Sequence, residues 1–461
     1  MNTGSSSTRV GVYEPLTTWE MYLKLKEKRF HPTTPVVVPG KLNADRRLSF
    51  MANPDPYAIA AIMTTAPKIE VIPLIDFFYY YISFLPDIRF SKTPRGYMNV
   101  VQQFHLPFYS WRSTRQEPKD NRLKTDNSPL RKVYNVQFLR GEPSDTTSEI
   151  DYLCEGQISV LITAIDRRIW TGYCFVDTYY QEESRKQSVG GYCKDDSDED
   201  GLQTDPFTNG ECDSNKPILD PGHYFLTALD SQLRVCYFEW TDTAHQIRAR
   251  VQQYINKFAS SSPKLQASSF EEDEEPSEWL CQTRHMLTLL VESLDNTIHC
   301  LDNYACKDHN LSPYEHRCFE CIRQTISDLK ICLRELRGVL SWCDEHERAL
   351  NLRNIDAQKK VSRLQTTSAQ HNQTATYFLL YIVSPITVAA AMLSMQEKAI
   401  PSILGPNKSS FIVLAPVLGV LVAALARLIH SRESILPALG EWVQRWQMKR
   451  QLDRDIELEN V

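Results

Sequence analysis

The C-terminal third of the chain contains two long runs of residues that carry no formal charge. The first extends from Ala375 to Gln396 and the second from Ser409 to Ala426. A helix of ~20 apolar residues crosses ~30 Å of hydrocarbon, whereas a buried core helix has about 10 to 14. We therefore predict two transmembrane helices, at 375–396 and 411–430, joined by an external loop at 397–410.

Basic residues set the predicted orientation of this hairpin. Lysines and arginines flank its two inner ends and are sparse in the loop: Arg353, Lys359, Lys360 and Arg363 before the first span, Arg427, Arg432, Arg445, Lys449 and Arg450 after the second, and Lys398 and Lys408 between. By the positive-inside rule both ends face the cytosol. The beginning of the chain has no apolar run that could act as a secretory signal. We expect a two-span protein in the lipid bilayer, in the plasma membrane, with cytosolic termini and a cytosolic tail at 431–461.

Ahead of the spans the pattern changes in stages. Residues 1–30 are polar and are predicted to be disordered. Over 31–265, short runs rich in β-branched and aromatic residues predict strands of a cytosolic α/β domain, namely "TPVVVPG", "KIEVIPLIDFFYYYI", "VVQQFHLPFYSW", "KVYNVQFL", "QISVLITAI" and "WTGYCFVDTYY". Acidic stretches at 195–213 and 266–278 indicate a solvated loop and a linker.

A helical period begins after the second acidic stretch and defines a stalk at 279–374. Apolar residues recur at spacings of three and four, first at Leu287, Leu290, Leu294, Ile298 and Leu301, then at Phe319, Ile322, Ile326, Leu329, Leu333, Leu336, Leu340 and Cys343. Ser312 as N-cap and Pro313 at the first helical position start the second helix. The predicted fold class is thus an α/β cytosolic N-terminal domain, long stalk helices and a C-terminal two-helix transmembrane hairpin.

Composition narrows the range of functions. The net charge of −6 does not favour binding to nucleic acid, which requires a basic surface. The sequence contains no glycine-rich phosphate loop, no G-x-S-x-G elbow and no HExxH motif. We therefore expect neither an enzyme nor a bound cofactor. Cysteines in a cytosolic region stay reduced, so no structural disulfide is predicted.

The first predicted span has one face of small and polar residues. Its members follow at spacings of three and four: Tyr377, Tyr381, Ser384, Thr387, Ala391 and Ser394. Such a face could line a water-filled pore. Alternatively, its small residues could let neighbouring helices pack closely. Pro385 within this span predicts a kink.

These features together resemble the CorA-type magnesium transporter family. Pro385 and Thr387 match a Pro-x-Thr of that family, and Ser394-Met395-Gln396 stands where the family has Gly-Met-Asn, nine positions after the proline. The N-terminal half resembles divergent fungal members. The resemblance implies a homo-oligomer, a pentamer, in which the first spans surround a pore for divalent cations and these three residues form its mouth.

Two departures from the family leave the function open. Gln396 keeps an amide on a longer stem, while Ser394 does not share the conformational freedom of glycine. The external loop sets Glu397 against Lys398 and Lys408, a net charge of +1. One hypothesis is a channel for magnesium-like divalent cations, and the other is a non-conducting membrane scaffold or regulatory subunit with the same fold.

Two other patterns suggest metal sites. Asp196, Asp198, Asp200 and Gly201 match the start of an EF-hand loop, but the twelfth position is Phe207 rather than glutamate. We therefore favour a solvated loop and keep the three aspartates as weak candidates. Cys318 and Cys321, part of a Cys and His cluster at 299–321, form a CxxC whose surroundings match no standard zinc finger, so buried free thiols are preferred to zinc.

Overall fold

The computed structural model describes residues 2–3, 9–11, 15–30, 44–92, 100–140, 149–181, 204–214, 216–261, 274–306, 313–394, 412–413, 416–424 and 427. The chain divides into two compact units, Met1–Ala349 and Leu350–Val461.

The first unit is built on a sheet of eight described strands. They are β1 (Asn2–Thr3), β2 (Arg9–Gly11), β3 (Arg46–Ala52), β4 (Asp87–Lys92), β5 (Val100–Thr114), β6 (Val133–Asn135), β7 (Ile150–Ala164) and β8 (Trp170–Val176). Their order is β2-β1-β3-β8-β7-β5-β4, with β6 beside β7. β3 pairs in parallel with β8, and the other described pairs are antiparallel. The long β5 and β7, 15 residues each, pair along their whole length and form the centre of the sheet.

Helices cover both faces of this sheet, which explains why the central strands are buried on both sides. One face carries α1 (Thr18–Lys26), α2 (Pro56–Thr65) and α3 (Val71–Ser83). The residues packed there include Leu74, Phe77, Phe78 and Tyr81 of α3, set against Leu161, Tyr173 and Phe175 of the sheet.

The opposite face is covered by α4 (Pro221–Ser261). Aromatic side chains of this helix pack against the sheet, Phe225 against Phe104 and Trp240 against Tyr109. Thr243 donates a hydrogen bond from Oγ1 to the carbonyl of Tyr109 at 2.9 Å. The sheet and these helices therefore form a three-layer α/β/α arrangement within the first unit.

The stalk pairs α5 (Glu274–Ala305) with the 66-residue α6 (Pro313–Phe378). The two apolar stripes predicted from the sequence are buried, apart from the partly exposed Leu340. Ion pairs flank the seam in antiparallel order: Lys330 with Asp302, Arg337 with Asp295, and Arg284 with Asp344 and Glu347. Helix α6 begins at Pro313, as the sequence predicted, and at 1.5 Å per residue it is about 100 Å long.

Two sequence predictions about the N-terminal half are wrong. The segment "KIEVIPLIDFFYYYI" is predicted as a strand but forms α3, because its buried residues repeat with helical spacing. Residues 1–30 are predicted to be disordered but contain β1, β2 and α1. A capping box between Thr17 and Glu20 starts α1, and Met21 and Leu25 pack on the core.

The second unit contains the part of α6 from Leu350 onward, a π-helical turn at Leu379–Val383, α7 (Ser384–Leu393) and helical residues 416–424. Among the residues that the structure describes, no helix is both long enough and apolar enough to cross a membrane. The predicted transmembrane hairpin is therefore not found, and its external loop at 397–410 and the cytosolic tail at 431–461 lie outside the described residues.

Candidate functional site

The predicted pore segment is interrupted by a π turn directly before its proline. The backbone N–H of Ser384 donates to the carbonyl of Leu379, a spacing of five instead of four, and α7 then starts with Pro385 near its first position. Pro385 has no N–H for the carbonyl four residues earlier, and its ring crowds that carbonyl. A π turn relieves this conflict by accommodating one extra residue.

The π turn divides the predicted polar face into two parts. Ser384, Thr387, Ala391 and Ser394 all follow it and keep their α-helical spacing, and the last three are exposed. Tyr377, 45% exposed, precedes it. One extra residue rotates Tyr377 by roughly 100° from the line that uninterrupted α-helical spacing predicts. The structure therefore brings together four of the six predicted face residues.

The hydroxyl groups of this face make hydrogen bonds within their own helix. Thr387 donates from Oγ1 to the Val383 carbonyl at 2.7 Å, and Ser394 donates from Oγ to the Ala391 carbonyl at 2.8 Å. Each hydroxyl thus uses its single hydrogen internally and keeps lone pairs that can accept hydrogen bonds from outside.

Several predicted site residues lie outside the described part of the chain. These are Met395 and Gln396 of the predicted mouth, the side chain of Tyr381, and Asp196, Asp198 and Asp200 of the acidic loop. Within the described ranges, no group of three or more His, Cys, Asp or Glu side chains is placed to hold a metal ion.

The CxxC thiols differ from the prediction of buried cysteines. Cys318 is half-buried, with Sγ 3.9 Å from Thr227 Oγ1, and Cys321 is exposed because it lies on the outer side of α6. Every cysteine that the structure describes is unpaired. Burial raises the pKa of Cys343 to about 11 and that of Cys154 to about 12, which keeps these thiols protonated and unreactive at neutral pH.

A buried ionic cluster, not predicted from the sequence, lies at the end of β8. Asp177 is fully buried and accepts from Arg131 Nε at 2.6 Å, Arg122 Nη1 at 2.8 Å and the hydroxyl of Tyr81 at 2.6 Å. Burial alone would raise the pKa of Asp177, but the two guanidinium groups outweigh burial and lower it. The lone carboxylate in the apolar run "WTGYCFVDTYY" was the available sequence signal.

This cluster ties a long connecting segment to the sheet. Arg122 also holds Asp120 through two bonds of 2.8 Å, and Arg131 Nη2 donates to the Tyr81 carbonyl at 2.8 Å. The residues between β5 and β6 are thereby fixed to α3 and β8. With its charges paired inside the protein, the cluster is suited to holding the fold rather than to catalysis.

A second buried carboxylate, Asp205, lies where α4 meets the sheet. It accepts from the backbone N–H of Phe207 at 3.0 Å and from the hydroxyl of Tyr224 at 2.8 Å. Burial raises its pKa to about 6. It helps line a small pocket with Arg46, Ser214 and Lys216.

Comparisons with known proteins give no family assignment. No protein-family model matches the sequence. No curated protein matches it either. Among solved structures, the full-length CmaX protein aligns with a TM-score of 0.33 and 11% identity over 87% of this chain and 90% of that one. The ZntB cytoplasmic domain from Vibrio parahaemolyticus aligns with a TM-score of 0.28 and 8% identity over 69% and 96%. These scores are too low for either protein to indicate the function of this chain.

Proposed function

We propose that this protein is a homo-oligomeric membrane channel for hydrated divalent cations of the magnesium type. In this proposal 375–396 and 411–430 cross the bilayer, both termini are cytosolic, and the first spans of five copies surround the pore. The protein transports its cation and catalyses no reaction. Ser394, Met395 and Gln396 form the outer mouth, where amide groups hydrogen-bond the water shell of the ion.

The surface of α6 beyond Leu350 is the observation that carries this proposal. The apolar register continues along the helix at Ala357, Val361 and Leu364, yet all three are exposed, Leu364 by 63% and Val361 by 42%. The part of the same helix from Phe319 to Cys343 buries its stripe almost completely. An exposed apolar stripe on a long helix favours association with other helices, and further copies of the same chain would supply them.

The polar face that follows the π turn, from Ser384 to Ser394, supports a water-filled pore. Thr387 and Ser394 donate their hydrogens to backbone carbonyls, so their outward lone pairs can accept hydrogen bonds from the waters around a cation. Ser384 and Ala391 are small enough to leave room for a hydrated ion. A ring of such faces needs no charged side chain to pass an ion that keeps its water.

Other observations favour the alternative, a non-conducting scaffold or regulatory subunit. On the stalk, Asp295, Asp302 and Asp344 are paired with basic side chains, so they are poorly placed to bind cations between copies. The serine and glutamine of the predicted mouth and the positive loop also depart from the resembled family.

Reconstitution distinguishes these two functions. Purified protein in liposomes that hold a magnesium-sensitive dye should give magnesium flux above empty liposomes when a potential is applied. The triple variant Ser394→Gly, Gln396→Asn and Lys398→Glu should conduct faster, because it restores the shorter amide and makes the loop negative. If both proteins assemble normally and neither exceeds empty liposomes, the scaffold is the better description.

A labelling experiment tests the membrane topology on its own. A cysteine introduced at Ser402 should react with an impermeant thiol reagent on intact cells, and one introduced at Ser5 should not. The reverse pattern would overturn the hairpin with its tip outside.

A further inference from the structure

Helix α3 has two apolar faces, and only one of them packs on the sheet. Leu74, Phe77 and Tyr81 are completely buried on the inner face. On the opposite side of the helix, Ile72 is 79% exposed and Tyr79 is 58% exposed. Apolar side chains on the surface of a domain are usually scattered singly, and a continuous row of them marks an interaction site.

The exposed row, which we call the outer stripe, consists of Ile72, Ile75, Tyr79 and Ile82. The spacings are three, four and three residues, so the four side chains lie on one side of the helix. This order of spacings is the same from either end. A second α3 placed antiparallel to the first would therefore set Ile72 opposite Ile82 and Ile75 opposite Tyr79. A two-fold contact between identical chains requires this kind of self-complementary surface.

Charge also favours an identical partner over a lipid surface. Helices α2 and α3 together contain one charged residue, Asp76, and no lysine or arginine. Asp76 lies beside the outer stripe and accepts from Arg89 Nη1 at 2.6 Å, so its charge is paired within the chain. Two copies can thus approach without like-charge repulsion. A helix that binds anionic lipid carries basic residues around its apolar face, and α3 has none.

The exposed area is close to what a stable contact needs. Asn53 bonds Thr178, and Tyr81 bonds Asp177, so the start of α2 and the end of α3 lie at the same end of the sheet. Tyr57, which is 77% exposed at the start of α2, adds to the apolar surface there. Together with the outer stripe it exposes the equivalent of about three large side chains, roughly 450–750 Å² if each counts as an aromatic residue. A standard interface buries about 800 Å² per partner, and polar groups at the rim supply part of that area.

We propose that the outer stripe of α3 forms a two-fold contact with α3 of a second copy of this chain. Neighbours around a five-fold ring use two different surfaces, whereas a two-fold contact uses the same surface twice. The outer stripe would therefore join chains of separate assemblies, not neighbours around the proposed pore. This contact lies in the α/β domain and does not depend on conduction.

Paired charge substitutions test this contact in the full-length protein in mild detergent. The acidic variant carries Ile75→Glu and Tyr79→Glu, and the basic variant carries Ile75→Lys and Tyr79→Lys. Each variant places like charges opposite one another across the two-fold axis and should lower the particle mass in native mass spectrometry at least twofold. Glutamate and lysine both suit a helix, and both positions are exposed, so circular dichroism spectra should match the parent.

Mixing the two variants identifies the occupant of the outer stripe. Position 75 of one copy would lie opposite position 79 of the other, so acidic and basic chains should attract each other. A tagged acidic variant should therefore capture the untagged basic variant and should not capture the untagged acidic variant. A lipid surface or an unrelated protein partner would not produce this pairing.

The matched control places the same two charges on exposed apolar positions of other helices. Phe238→Glu on α4 together with Ile331→Glu on α6 should leave the particle mass equal to that of the parent. If only one of the two α3 variants folds, its particle mass decides the test.

Either of two results would overturn the proposal. One is an α3 variant that folds and keeps the particle mass of the parent, and loss of parent binding to neutral lipid vesicles in that variant would then assign the outer stripe to a lipid surface. The other is a mixture of acidic and basic variants that shows no association. Because cation flux is measured separately in liposomes, failure of this contact is distinguishable from failure of the proposed channel.

Discussion

Asp205 allows a quantitative test of how α4 is held against the sheet. Its side chain belongs to a residue only 6% exposed and is hydrogen-bonded to Phe207 N–H and to the Tyr224 hydroxyl. Burial raises its pKa from 3.8 to about 6. The folded protein therefore binds a proton at Asp205 more tightly than the unfolded chain does.

This raised pKa makes stability depend on pH with a definite sign. Near pH 3 and below, Asp205 is largely protonated in both states and contributes little. As the pH rises from about 3 to about 7, the unfolded chain ionises first, so the parent loses up to about 3 kcal/mol of unfolding free energy. Above about pH 7 this loss is constant.

Asp205→Asn removes the titrating proton and keeps an acceptor for Phe207 N–H. The variant should match the parent near pH 3 and should be more stable by up to about 3 kcal/mol at pH 7. Urea unfolding of the full-length protein in detergent, followed by near-UV circular dichroism at several pH values, measures this difference.

Asp213→Asn is the matched control, since the Asp213 side chain is 46% exposed. It removes one carboxylate from the same region without changing Asp205 and is unfolded under the same conditions. If the difference between Asp205→Asn and the parent is constant from pH 3 to pH 7, burial does not raise the pKa of Asp205 and the reasoning fails.

Three further predictions concern other parts of the described chain. Leu333→Asp places a charge in the buried α5–α6 seam and should cost several kcal/mol of unfolding free energy, whereas Val361→Asp, on an exposed position, should leave folding intact and reduce only the oligomer mass seen by native mass spectrometry. Asp177→Asn leaves Arg131 buried beside a neutral amide and should cost about 3–5 kcal/mol at pH 7 by urea unfolding. The pKa of Asp177 is lowered in the folded parent. The cost of Asp177→Asn should therefore shrink as the pH falls, because the Asp177 carboxylate of the parent then becomes protonated and loses its charge as well. Arg284→Gln breaks only exposed ion pairs and should change the same free energy by less than about 1 kcal/mol.

The elements with an unbroken period were predictable from the sequence. The apolar stripe from Phe319 to Cys343 and the proline at its start predict α6, and "QISVLITAI" and "WTGYCFVDTYY" predict β7 and β8. Helix α3 was missed because its β-branched and aromatic residues are typical of strands, although their spacing is helical. Helix α4 was missed because its first turns are buried on several sides and show no single apolar stripe.

The candidate sites were predictable only in part. The spacing of Ser384, Thr387, Ala391 and Ser394 follows from an α-helix, but the π turn before them arises from a backbone conflict that the side-chain pattern does not show. The partners of Asp177 come from distant segments of the chain. Only the folded sheet brings them together, so no local pattern could identify them.

The parallel pairing of β3 with β8 has a consequence for the order in which the protein can fold during synthesis. Arg46 pairs with Trp170 and Ala52 with Val176, and four other strands are made between them. Until β8 leaves the ribosome, β3 lacks this neighbour, and Phe77 and Phe78 of α3 lack Phe175, against which both pack. Sheets that depend on such distant pairings form slowly and expose apolar surface meanwhile. A nascent chain shorter than about 180 residues should therefore need chaperone protection, and a fragment that ends before Trp170 should aggregate when expressed alone.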